Sequence, residues 1–220
     1  MMNVFEPKCC LSAGYCGNIF MTDMAKYKAD KLTDNGVYNA GSAVSSVLWN
    51  TGYATVASAT TDAGFLHVFD TRVGQRDRRT SIVINTQFIG LYSHAWTDTN
   101  SPLLGFGDGS LRLFDIRMPQ QCVVTFHDPV VSQIGSITLD PQKKFMAAFG
   151  SPGFSVWHCA SAPGKHFTLW HHDPLSVSKL QLELDPFYKT DGAFMLTGGR
   201  KNGVILSTDA HVRFALLMCA

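Results

Sequence analysis

Gly105-Phe106-Gly107-Asp108-Gly109-Ser110-Leu111-Arg112-Leu113-Phe114-Asp115-Ile116-Arg117 is the stretch that decides the fold of this chain. Asp108-Gly109 can supply the positive φ that a tight hairpin turn needs. Beyond it Leu111 and Leu113 alternate with Arg112 and Phe114, the period-two pattern of a half-buried strand. The strand closes on an aromatic–Asp pair. A relative stands upstream: Asp62-Ala63-Gly64-Phe65-Leu66-His67-Val68-Phe69-Asp70-Thr71-Arg72. A chain built from one recurring hairpin is a repeat protein, in which each unit buries its apolar face only against a neighbour.

Aligned on the residue that ends the second strand of each hairpin, Asp23, Asp70, Asp115, His158 (in place of Asp) and Asp209 recur at intervals of 43 to 51 residues. A four-stranded propeller blade takes about 40–45 residues plus loop insertions. The later units share more. His127-Asp128-Pro129 returns as His172-Asp173-Pro174, and Leu139-Asp140-Pro141 as Leu184-Asp185-Pro186, both 45 residues further on.

Each unit divides into strands a to d. The second is expected at Val44–Trp49, Ala54–Ala59, Phe65–Phe69 and Ser81–Ile84. The third is expected at Gly90–Trp96, Pro102–Phe106, Ser110–Phe114 and Cys122–Phe126. The fourth falls at Ile134–Leu139, Phe145–Phe149, Phe154–Trp157 and His166–Trp170, and the fifth at Val177–Leu184, Ala193–Thr197, Val204–Leu206 and Val212–Leu217. The first unit keeps Cys9–Ala13 and Asn18–Met21, and the polar stretch Tyr27–Gly41 reads as a loop between units. The expectation is one all-β domain over 1–220, with a partial blade at about 1–30 and complete blades at about 43–86, 89–126, 130–170 and 175–217.

Lys and Arg (18) balance Asp and Glu (17), so no global charge draws the chain to nucleic acid or an anionic membrane. A hydrophobic share of 45%, with 15 Phe, is enough for a packed core. No apolar run reaches bilayer length, and Met1 to Lys8 holds no signal-peptide segment. The six cysteines form no CxxC pair, which favours thiols in a reducing compartment over zinc ligands.

These motifs resemble the WD40 repeat family over nearly the whole chain. The likeness implies a WD40-type β-propeller. Since the family is usually seven-bladed, about four complete blades plus a partial one imply a fragment of a larger propeller, or blades supplied from elsewhere. In the family a His near the d–a loop, an Asp in the b–c hairpin, a Ser or Thr on strand b and a Trp on strand c form a hydrogen-bonded network. His127 and His172 match that His, Asp108 lies in the hairpin, and Trp157 matches the strand-c Trp. Phe69 and Phe114 replace Trp, which implies blades held by apolar packing, each Phe contributing about 1.5–3 kcal/mol. Gly105–Arg117, with Met118, is also similar to a blade of the Raptor scaffold family.

No P-loop, Gly-x-Ser-x-Gly elbow or His-Glu-x-x-His occurs, and Gly105, Gly107 and Gly109 lead into a strand instead of a helix. No cofactor, metal or catalytic residue is expected. His171-His172-Asp173 copies His127-Asp128 and reads as structural, while Asp140 and Asp185 read as turn formers. Arg76-Asp77-Arg78-Arg79 reads as a solvated loop, too narrow for a nucleic-acid stripe. Trp170 is either core or an exposed anchor for a partner.

The endings Phe69-Asp70-Thr71-Arg72 and Phe114-Asp115-Ile116-Arg117 carry a partner-binding reading. They resemble the Trp-Asp-x-Arg ending by which WD40 substrate receptors dock on the damaged-DNA-binding adaptor of cullin-4 ubiquitin ligases, with Phe in place of Trp. Arg72 and Arg117 could each offer forked hydrogen bonds to a partner; alternatively, each Arg merely caps its strand or pairs with a local Asp. The resemblance implies a non-enzymatic scaffold subunit of a multiprotein complex, in the cytoplasm and/or nucleus. Its partners would be other proteins, without a membrane or nucleic-acid role. The second expectation is a ligase substrate receptor.

Overall fold

The computed structural model describes residues 9–24, 36–73, 81–87, 90–129, 131–139, 143, 145–151, 154–159, 167–173, 191–196, 202–208 and 212–218. The chain is all-β, with no helix among these residues. The first sheet comprises β1 (Cys9–Ala13), β2 (Asn18–Asp23) and β3 (Gly36–Asn39), and the second β4 (Val44–Trp49), β5 (Val56–Thr61), β6 (Phe65–Asp70) and β7 (Ile82–Asn85). The third holds β8 (Leu91–Trp96), β9 (Pro102–Phe106), β10 (Ser110–Phe114) and β11 (Cys122–His127). The fourth holds β12 (Gln133–Leu139), β13 (Phe145–Ser151), β14 (Phe154–Cys159) and β15 (Phe167–Asp173), and the fifth β16 (Asp191–Leu196), β17 (Asn202–Thr208) and β18 (Val212–Met218).

In every sheet the strands neighbour one another in chain order. The recorded pairings are antiparallel, as short hairpin connections require. The registers of β4 on β5 and of β12 on β13 shift at matching places, between Val44 and Ser46 and between Ile134 and Ser136. A bulge turns one residue out of the ladder. In the second sheet that residue is Ser45, whose hydroxyl donates to the Leu91 carbonyl at 2.6 Å and so ties β4 to β8.

Two expectations are corrected. The segment read as a loop over Tyr27–Gly41 contains β3, which pairs with β2. Strand β10 is not half-buried: all five of its residues, Arg112 included, are buried. The middle strand β9 is buried in the same way, and β5 and β6 are buried except at Val56, Phe65 and Asp70, while β7 and β11 alternate between covered and exposed positions. Both faces of the middle strands are therefore covered, and a strand's alternation here does not mark a wet face. The expected first strand of the fifth unit, Val177–Leu184, lies outside the described residues, as does Arg76–Arg79.

The chain divides into two compact units, Met1–Leu104 with Leu113–Val123, and Gly105–Arg112 with Val124–Ala220. In the first unit Leu11, Ile19, Tyr38, Trp49, Ala57, Ala59 and Phe69 form one core between the first two sheets. Tyr38 stacks on Phe69 with ring centroids 4.4 Å apart. Ala57 and Ala59 are fully buried, and their small side chains leave room for these rings. A polar cluster joins β5 to β8. The Trp96 indole N–H donates to Ser58 Oγ at 2.9 Å, and the same oxygen lies 2.7 Å from His94 Nε2.

In the second unit Ala147, Phe149, Phe154 and Val156 form a core cluster among the described residues. Asp128 organises the polar interior there. Its Oδ2 accepts from the Ser155 hydroxyl and from Trp157 Nε1, and its Oδ1 from the Val131 amide at 2.9 Å. The Phe126 ring packs on Trp157 at 4.9 Å.

Candidate functional site

Hairpin connectivity puts the β4–β5 and β6–β7 loops at one end of the second sheet. The β8–β9 and β10–β11 loops of the third sheet meet them there. Asn50, 2% exposed, pins the junction. Its side-chain oxygen accepts from the amides of Gly52 (2.8 Å) and Tyr53 (3.2 Å), and its amide nitrogen donates to the Thr99 carbonyl at 2.9 Å. Gly52 packs so closely that a Cβ would overlap the Thr99 side chain. Asp98 Oδ1 accepts from the Asn100 amide, and the Asn100 carbonyl accepts from Ile116 N at 2.9 Å. The loops of the two sheets are thus one hydrogen-bonded ledge.

Both aromatic–Asp–x–Arg endings lie on this ledge in one geometry. Asp70 Oδ1 accepts from the Arg72 amide at 2.9 Å and from its Nε at 3.0 Å, and Oδ2 accepts from Nη2 at 2.6 Å. Asp115 and Arg117 repeat this with 2.9, 2.9 and 2.5 Å. An Asp accepting from the amide two residues on closes a local turn, and the forked ion pair is favoured by the planar guanidinium. The hydrogen bonds from Arg72 hold the Asp70 carboxyl below its ordinary range, and those from Arg117 bring Asp115 down to about 2. The arginine side chains are 72% and 69% exposed, against 20% and 17% for their aspartates. Tyr53 and Met118, on the β4–β5 and β10–β11 loops of the same ledge, are 55% and 60% exposed.

The local pairing weighed from sequence is therefore present at both arginines. The other expected residues divide differently. Trp157 enters the buried network, but its carboxylate is Asp128, and its serine, Ser155, is on strand β14 with it instead of on the strand before. His127 is exposed at the end of β11, one residue short of that network. Alternation along β11 sets this: a one-residue step turns a side chain to the other face. Asp108 instead pairs with Arg112 at 3.1 Å, whose guanidinium sits 4.4 Å above the Phe106 ring. Burial raises the Asp108 pKa, but the Ser110 hydrogen bonds and the Arg112 and His127 charges outweigh it and lower it. His172 lies on β15 opposite Ser155, with its side chain outside the described residues.

Sequence reasoning missed Asn50, Tyr53 and a cleft of about 280 Å³ lined by Tyr38, Asn39, His67, Ser81 and Val83. The Tyr38 hydroxyl lies 3.1 Å from His67 Nδ1 there. Asn50 had a local signal, since Asn-Thr-Gly after an apolar strand is turn chemistry. Among the described residues no three His, Cys, Asp or Glu side chains gather as a metal-ligand set. No disulfide joins the described cysteines. No protein-family model matches this sequence, and no curated protein matches it either.

Proposed function

We propose that the sheets are blades of a WD40-type β-propeller and that the chain is a non-enzymatic scaffold. It would dock other proteins of a complex in the cytoplasm and/or nucleus. Three observations support the architecture: the meander repeats sheet after sheet, the first strands of the second and third sheets lie beside each other (β4 by β8), and middle strands are covered on both faces. Packed blades account for all three. The docking reading rests on the ledge, where large side chains are held out on loops whose backbone is pinned. The test is affinity capture of the endogenous protein with mass spectrometry. A fixed set of co-purifying proteins is expected; recovery of the chain alone overturns the scaffold role.

A more specific version, a substrate receptor docking on the cullin-4 adaptor, rests on the exposure of both arginines at the ends of the two matching motifs. In that version the purified chain retains recombinant adaptor and the double variant Arg72→Ala, Arg117→Ala does not. Retention by both proteins, or by neither, removes it.

A further inference from the structure

We infer that Tyr53, Arg72, Arg117 and Met118 form a docking surface for an extended protein segment in which an acidic side chain neighbours an apolar one. This rests on the scaffold reading and adds the chemistry of the partner. Each aspartate occupies the Nε/Nη2 edge of its arginine, which leaves the Nη1/Nη2 edge as a second, outward fork. With the arginines more than three times as exposed as their aspartates, a partner meets donors first. The surface favours oxygen acceptors by charge complementarity. The ion pairs also hold the guanidiniums in place before binding, which lowers the ordering cost.

The two forks are not equivalent. Asp98 is exposed and its charge acts on Arg117, whereas among the described residues Asp70 is the one carboxylate acting on Arg72. Arg72 is therefore the better seat for the partner's carboxylate, and Arg117 for a main-chain carbonyl. Tyr53 and Met118 supply apolar contact, Tyr53 with its backbone fixed by Asn50. Tyr and Arg are the side chains enriched among binding hot spots, and Met is enriched at interfaces.

The test is selection of a displayed library of random twelve-residue peptides on the purified chain. Enriched peptides are then resynthesised and their affinities measured by fluorescence anisotropy. The variants are Arg72→Ala, Tyr53→Ser and, in the distant β1–β2 hairpin, Tyr15→Ser; thermal unfolding checks that each is folded. Enriched peptides should pair Asp or Glu with an aromatic or aliphatic residue. They should lose about tenfold in affinity on Arg72→Ala and on Tyr53→Ser, and bind Tyr15→Ser unchanged. Replacing the peptide acid by its amide should weaken binding to the unaltered chain but not to Arg72→Ala. Peptides that bind Arg72→Ala and Tyr53→Ser as tightly as the unaltered chain overturn this surface and leave the scaffold reading standing. A library that yields no binder counts against both.

Discussion

Lowering the pH from 6.5 to 4.5 should destabilise this protein through one side chain, His94. The ring is 2% exposed on β8, and burial pushes its pKa down from 6.5 to about 3. The hydrogen bonds explain why the proton is unwelcome. An indole N–H can only donate, so Ser58 Oγ accepts from Trp96. The hydroxyl proton then faces either His94 Nε2 at 2.7 Å or the Leu48 carbonyl at 3.4 Å. The shorter contact makes Nε2 the acceptor and places the ring proton on Nδ1, which has no hydrogen-bond partner among the described residues. An imidazolium would bring a second N–H against that serine and a charge into an apolar interior.

In the unfolded chain His94 takes up a proton as the pH falls below about 6.5, whereas in the folded chain it stays neutral until about 3. Stability is thus fully present above 6.5, declines as the pH falls towards 3, and is level below that. At about 1.4 kcal/mol per unit, the loss is about 3 kcal/mol by pH 4.5 and about 5 kcal/mol in all. Urea unfolding at closely spaced pH values measures it, with His94→Gln as the comparison, since glutamine can offer an oxygen to Ser58 without titrating. The variant should be flat between pH 6.5 and 4.5, and below that the lowered carboxyls of Asp70, Asp108 and Asp115 should make both proteins acid-labile. An unaltered protein that is flat across that window, or a variant as pH-sensitive as its parent, refutes the reasoning.

Gly109 has φ of 75°, and a Cβ there would sit 2.8 Å from the Val131 carbonyl oxygen. Gly109→Ala should cost about 1–3 kcal/mol in urea unfolding, from backbone strain and steric overlap together. Asp128→Asn should cost about 3 kcal/mol by the same assay: whichever way the amide turns, its NH2 meets an N–H donor, that of Trp157 or that of Val131.

Much of the strand pattern was legible. Strands β4, β9 and β10 begin and end where alternation and turn residues put them, at Val44–Trp49, Pro102–Phe106 and Ser110–Phe114. Alternation is a local consequence of the pleat, and turns such as Asp108-Gly109 are short-range chemistry, so both can be read from neighbours in the chain. Strand β3 was not legible. It is the four-residue stretch Gly-Val-Tyr-Asn, made a strand by pairing with β2 across an intervening segment. The ion pairs at Arg72 and Arg117 were open to sequence reasoning because both partners lie two residues apart.

The order of strands along the chain, the hairpin turns and the two local Asp–Arg clasps follow from residues within a few positions of one another. Tertiary structure alone decided that Asp128, one residue past the expected His127, would be the centre of the buried network. It also decided that Ser58 would meet His94 and Trp96, and that Asn50 would lock onto Thr99. These contacts join residues 27 to 49 positions apart. A buried polar atom is satisfied by whichever donor or acceptor the packed sheets bring within about 3 Å, and spacing along the chain does not carry that distance.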